Sequence, residues 1–361
     1  MKKTKSCFFC GTSFHVFNSV ILAKTKNLYA DIYIDDVFGL AKTIAENLKV
    51  LGVFENVYLL DRKEHWKFPD NTFSQYLFAL KGYWKFDKMI PKIIPNIEVY
   101  SDFYFANDPR TDVFGRFIRF YIVKNLINFK IHFFDDGLGS YDERMYEPTA
   151  VDVLARKFFL FNTNTSFDSD YFFHSPEYFH ILNENSKMKV YPIGEINDEI
   201  KDLLKKVFYI EDIGLEIQSN IIFDTVRNEE FNTEGSKVFS TIIGDILHLG
   251  NFLVKSHPRE KEKYGKEYSI EYGLPFELFC LYNDFSDKVF VTSLSSAVFT
   301  PKIIFNQEPK VIFLFEIMKK YSKLYDNMYK RYVKGLEKLY SNKNRVIVCD
   351  SIEDCMFYCK N

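Results

Sequence analysis

The chain of 361 residues and 42.8 kDa carries 47 Lys and Arg against 49 Asp and Glu, and 18% of it is aromatic. Such a composition excludes a disordered chain, and a net charge of −2 with pI 6.4 excludes a globally basic nucleic-acid binder. Mean hydropathy is −0.18, and no uncharged apolar run of about 18 residues is present to span a bilayer.

At about 150 residues per domain the length suggests two domains. An apolar run over 6–10, then Gly11-Thr12-Ser13, then helical spacing of Phe14, Phe17, Val20 and Ile21, reads as strand, turn and helix. Met1-Lys2-Lys3 before an apolar stretch imitates a secretory signal, but His15 and Asn18 interrupt that stretch, so strand and helix are preferred. Cys7-Phe8-Phe9-Cys10 has redox spacing in an apolar context that favours a buried strand. The six cysteines lack paired zinc knuckles and read as reduced thiols. Further strands are expected at 29–34, 57–60 and 130–134, with helices at 40–51, near 73–80 and at 113–126. Around Tyr191-Pro192-Ile193-Gly194 the pattern breaks and a charged stretch, 195–206, follows. A second series then runs through strands at 220–226, 252–255, 288–292, 310–315 and 345–349. Its helices are expected at 234–249, 275–281, 317–340 and 351–360. Alternation of this kind predicts an α/β protein of two doubly wound Rossmann-like domains, 1–195 and 196–345, with a last strand and helix in 346–361.

Three turns at strand ends carry polar chemistry. Asp135-Asp136-Gly137 follows the strand at 130–134; an acid pair there binds a metal, acts as a base or caps a turn. One carboxylate opposes ionisation of its neighbour, which raises a pKa and favours the base. Asp35-Asp36 is a second acid pair, read as capping the helix that follows. Lys255-Ser256-His257-Pro258-Arg259 ends another strand, with His257 able to bind an anion or pass a proton in positive surroundings. His15, His65, His132, His174, His180 and His248 lack such surroundings and read as structural or surface residues. Thr292-Ser293-Leu294-Ser295-Ser296 opens a helix; it is either an anion site or an ordinary N-cap. Neither a P-loop nor a dinucleotide fingerprint occurs.

The order Phe134-Asp135-Asp136-Gly137, Lys255-Ser256-His257-Pro258-Arg259 and Ser295-Ser296 resembles the bacterial sialyltransferases of the two-domain GT-B type. Length and N-terminal strand look most like the lipooligosaccharide sialyltransferases, glycosyltransferase family 52. The resemblance implies two domains facing across a cleft, the first on the acceptor side and the second binding the nucleotide sugar. It makes Asp136 the base that deprotonates the acceptor hydroxyl, with Asp135 and Gly137 beside it. It makes His257 a contact to the donor phosphate flanked by Lys255 and Pro258, and Ser295 and Ser296 the phosphate-binding serines. Glu277 matches more loosely a glutamate that contacts the donor nucleoside, or is a helix-start acid. Ser256 replaces a glycine of some relatives, which alters backbone approach to the ligand. The donor would be CMP-sialic acid, with inversion at the anomeric centre. Protein donors around the phosphate leave no need for a metal or other cofactor.

Residues 316–345 hold nine basic residues against three acids, a local +6 that leaves −8 for the remainder. Interleaved tyrosines make this stretch amphipathic, and it is a candidate for docking on anionic membrane or a glycolipid acceptor, or else a solvated helix face. The expected setting is cytoplasmic, at the inner face of the membrane, and the aromatic surplus makes a homodimer a candidate assembly. Two other readings stand beside the sialyltransferase: a GT-B transferase for another nucleotide sugar, and a non-catalytic nucleotide-sugar or glycan-binding protein.

Overall fold

Strands that are apolar on both sides are buried on both sides, which favours a parallel sheet covered by helices. The structure, a computed structural model, describes residues 4–61, 85–86, 88–106, 113–126, 128–147, 169–210, 217–257, 260, 264–270, 274–322 and 327–361. The helix expected near 73–80, and the candidate residue Pro258, lie outside the described residues. The chain divides into two compact units, 1–179 with 183–211, and 180–182 with 212–361.

In the first unit the described strands are β1 (Lys5–Cys10), β2 (Ala30–Asp35), β3 (Val57–Leu60), β4 (Tyr100–Ala106), β5 (Lys130–Phe134), β6 (Asp170–Phe173) and β7 (Lys189–Pro192). They pair in parallel in the order β3-β2-β1-β4-β5-β6-β7. Side chains of β1 alternate between two aromatic layers: Phe9 lies 4.9 Å from the Phe105 ring on one face, and Phe8 stacks on Tyr104 at 4.5 Å on the other. Cys7 and Cys10 therefore point to opposite faces. Burial drives both thiols up, Cys10 to about 12, so this pair is structural. Asp31, fully buried on β2, is satisfied by the Lys5 ammonium at 2.7 Å, the Tyr100 hydroxyl at 2.5 Å and the Asn56 amide at 3.1 Å.

Helix α1 (Ser13–Thr25) follows β1, α2 (Ala41–Leu51) follows β2, and α3 (Val113–Asn125) precedes β5. The cap of α2 is Leu40, with no side-chain bond, so Asp35 and Asp36 do not cap it. The charged stretch after 195 forms α4 (Asp198–Val207), capped by Asn197, with Ile200, Leu204 and Val207 buried. That face packs on α1 and α2, and Asn47 donates to the Val207 carbonyl at 3.0 Å. The first unit thus continues to Glu211, beyond the pattern break at 191–194.

The loop after β7 is fastened to the end of α1. Gly194 has φ 137°, and a Cβ there would lie 2.5 Å from Thr25, whose hydroxyl donates to the Ile193 carbonyl at 3.0 Å. Gly194→Ala combines left-handed strain with a clash, and should cost about 2–4 kcal/mol in urea unfolding. An unchanged midpoint would show that the loop can shift away.

The second unit contains a parallel sheet, β12-β11-β10-β8-β9, built from β8 (Asn220–Phe223), β9 (Phe252–Lys255), β10 (Val289–Thr292), β11 (Lys310–Phe313) and β12 (Val346–Val348). Residues 346–361 supply the edge strand of this sheet and the helix α8, Ile352–Lys360. Helix α5 (Thr233–Leu247), capped by Asn232, buries Phe239, Ile242, Ile243 and Ile246 against Ile222, Val254 and Val291. Helix α6 (Phe276–Tyr282) follows Pro275, and Phe276 packs edge-on against Phe223 at 4.8 Å. The single helix expected over 317–340 is interrupted: short turns at Phe315–Met318 and Lys319–Tyr321 precede α7 (Asn327–Leu339).

Candidate active site

Strand β5 ends at Phe134, and the Asp135-Asp136-Gly137 turn follows at the carboxyl edge of the first sheet, where doubly wound proteins bind ligands. Gly137, at φ 102°, holds a backbone conformation that favours glycine. Asp135 turns inward and is 1% exposed. Its Oδ1 accepts from the Gly137 N–H at 2.8 Å and the Ser140 hydroxyl at 3.1 Å, and its Oδ2 from the Tyr141 hydroxyl at 2.5 Å. These bonds make Asp135 a fastener of the loop. Burial raises its pKa to about 6 against the pull of those hydrogen bonds, so the shift arises from desolvation rather than from the neighbouring carboxylate.

Between about pH 4 and 6 the folded protein holds a proton on Asp135 that the unfolded chain has released. The stability tied to this proton is complete below pH 4 and is lost as pH rises through about 6. Asp135→Asn cannot ionise. It should shrink the fall in unfolding free energy between pH 4 and pH 7 by about 2–3 kcal/mol relative to wild type. Parallel pH profiles for the two proteins would reject the assignment.

Asp136 faces α1. Thr12 caps that helix by accepting from the His15 N–H at 3.2 Å, and the Gly11 N–H donates to His15 Nδ1 at 3.0 Å. With Nδ1 an acceptor, the ring proton sits on Nε2, which donates to Asp136 Oδ1. Both ring nitrogens are engaged, so His15 orients Asp136. His15 is 7% exposed, whereas the Asp136 side chain keeps 30% of its surface. One helical turn on, Asn18 donates to the Asp135 carbonyl at 2.8 Å and accepts from His174 Nε2 at 2.7 Å. His174, just past β6, is pushed down to about 3 by burial and stays neutral.

His15, Asn18 and His174 were not expected in the site. The available signal was the i, i+3 pair of His15 and Asn18 on an otherwise apolar helix, which places both on one face. Asp35 lies at the same edge: a Cβ on Gly11 would stand 3.5 Å from its Oδ2.

The second unit places its candidates on the carboxyl ends of β9 and β10. Lys255, half-buried at the end of β9, lies 5.9 Å from the Phe279 ring centre. Desolvation lowers its ammonium pKa, and the Glu277 carboxylate, in the first turn of α6, partly offsets this. Glu277 thus lies within electrostatic range of Lys255. The His257 carbonyl accepts from the Glu260 N–H at 2.9 Å, and its side chain is half-buried. Beyond β10, the Ser295 N–H donates to the Thr292 hydroxyl at 2.9 Å, and Ser295 Oγ caps a short helical turn, Ser296–Phe299, through the Ala297 N–H at 3.3 Å. Ser296 is exposed.

The end of β8 separates these two loops in the sheet. Asp224 and Arg227 meet there as a buried pair, 1% and 3% exposed, with Nη2 and Oδ2 2.9 Å apart. Arg227 also donates to Ser240 at 2.8 Å and lies over the Tyr264 ring at 5.2 Å. Among the described residues no group of three His, Cys, Asp or Glu is arranged to hold a metal ion.

No protein-family model and no curated protein matches the chain. Solved structures do. The glycotransferase of kitacinnamycin aligns with 100% of this chain and 90% of its own, at 9% identity and TM-score 0.54. The glycosyltransferase SnogD from Streptomyces nogalater aligns with 92% of this chain and 85% of its own, at 9% identity and TM-score 0.51. The likeness is one of fold: α/β, with two Rossmann-like units of the GT-B type.

Proposed function

We propose that the protein is an inverting glycosyltransferase that moves sialic acid from CMP-sialic acid to a terminal sugar, galactose, of a cell-surface lipooligosaccharide or capsular glycan. The observation that carries the transferase reading is the Asp136 carboxylate, oriented by the Nε2–H of a tautomer-locked His15 at a strand end. A carboxylate held in this way can take the proton of an attacking hydroxyl. The acceptor oxygen then bonds to the anomeric carbon of the donor as the bond from that carbon to the phosphate oxygen breaks, and CMP departs. His257 and Lys255 supply charge to the departing phosphate, and Ser295 and Ser296 bind it. Glu277, within electrostatic range of Lys255, contacts the nucleoside in this reading. These donors do the work a metal would otherwise do. The choice of CMP-sialic acid rests on the motif order Asp136, His257 and Ser295-Ser296, each found just past the carboxyl end of a strand.

A donor panel tests this reading. Product should form with CMP-sialic acid, and none with other CMP-sugars or UDP-hexoses. Product from a UDP-hexose alone would keep the transferase and replace the donor. Binding of nucleotide sugar with no product from any donor would leave a binding protein.

No helix among the described residues is long and apolar enough to cross a membrane. We place the protein in the cytoplasm, in peripheral contact with anionic lipid through 316–345. Lys334 and Lys338 are exposed on α7, opposite its buried Tyr332 and Leu336, while Lys330 pairs with Glu316 at 2.9 Å. Purified protein should co-sediment with anionic liposomes at low salt and be released by salt. Absence of binding at low salt would rule out the contact.

A further inference from the structure

We propose that His174 reads the acceptor sugar: its Nδ1 accepts a hydrogen bond from a hydroxyl other than the one that attacks. This rests on the transferase reading above and extends it to a specificity residue.

His174 is the first residue past the carboxyl end of β6, beside the end of β5. The Asp135 N–H donates to the Phe172 carbonyl at 3.0 Å, and the His174 N–H approaches Asp135 Oδ2 at 3.5 Å. Asp136 and His174 thus follow the carboxyl ends of two paired parallel strands, on one edge of the sheet. Tautomer follows from the partners. Because Asn18 Nδ2 donates to the Asp135 carbonyl, its Oδ1 is what faces His174 at 2.7 Å, and an oxygen there requires the proton on Nε2. Nδ1 is left with a lone pair. Among the described residues no hydrogen bond to it is found, and His174 is half-buried rather than fully enclosed. Burial keeps the ring neutral at physiological pH, so the lone pair persists. His15 offers no such atom, since Gly11 occupies its Nδ1. A carboxylate and an imidazole lone pair past neighbouring strand ends are two acceptors, and they select a ligand that presents donors: the hydroxyls of a sugar.

The test uses the full-length protein and His174→Gln, whose amide nitrogen keeps the donor to Asn18 while removing the acceptor at Nδ1. The galactoside KM should rise about three- to tenfold, the effect of one neutral hydrogen bond. The loss should fall on KM more than on kcat, and on transfer to sugar more than on donor hydrolysis by water. An unchanged KM, or equal loss of transfer to sugar and to water, would overturn the proposal. A second readout needs no turnover: in 15N-histidine-labelled wild type, the His174 Nδ1 resonance should move when methyl β-galactoside is added. A resonance that does not move overturns the proposal. A resonance that moves in a protein yielding no product from any nucleotide sugar supports it and refutes the transferase reading instead.

Discussion

Asp136→Asn is expected to lower turnover about a hundred- to ten-thousandfold, the usual contribution of a positioned general base. The substitution is close to isosteric, and the amide oxygen can still accept from His15 Nε2, so the loop geometry is retained. What is lost is the capacity to take a proton. Affinity for CMP, measured by calorimetry, should stay near wild type because the proposed donor-binding residues lie in the other unit. Unchanged turnover would overturn the base assignment. Loss of CMP affinity together with turnover would show that the substitution disturbs more than the base.

The second large effect is on stability. Arg227→Ala removes the cation from a pair in which Asp224 is 1% exposed, leaving a buried carboxylate without its partner. Breaking such a pair costs about 3–5 kcal/mol. Desolvation raises the Asp224 pKa, and Arg227, with the Thr225 N–H, opposes that rise. Adding Asp224→Asn to Arg227→Ala should recover much of the loss, since no buried charge is then left uncompensated. A urea midpoint that Arg227→Ala leaves unmoved would show that water reaches the carboxylate.

The parallel sheets were legible where apolar runs met turn residues, as at 130–134 before Asp135-Asp136-Gly137. Strands β4 and β6 were harder to see because their aromatic residues sit among Ser101, Asp102 and Asp170, which interrupt the apolar signal. Asp102 hydrogen-bonds His132 at 2.9 Å and Asp170 lies 3.4 Å from the other nitrogen of that ring, so both acids face a neighbouring strand that local pattern cannot reveal. The same reason hid half of the candidate site. His15 and Asp136 are 121 positions apart, and Asn18 and His174 156 apart, and no local spacing announces such partners. His15 and Asn18 were visible only as interruptions of an apolar stretch. Asp135 and Asp136 look equivalent in the sequence, and only the direction each side chain takes separates the loop fastener from the proposed base.

The most direct measurement is incubation of the wild-type protein with CMP-sialic acid and a β-galactoside in the presence of a chelator, with the product read by NMR. The predicted result is a sialoside whose anomeric centre is inverted relative to the donor, formed at the same rate with and without chelator. No sialoside, a retained configuration, or activity abolished by the chelator would contradict a metal-free inverting transfer driven by Asp136.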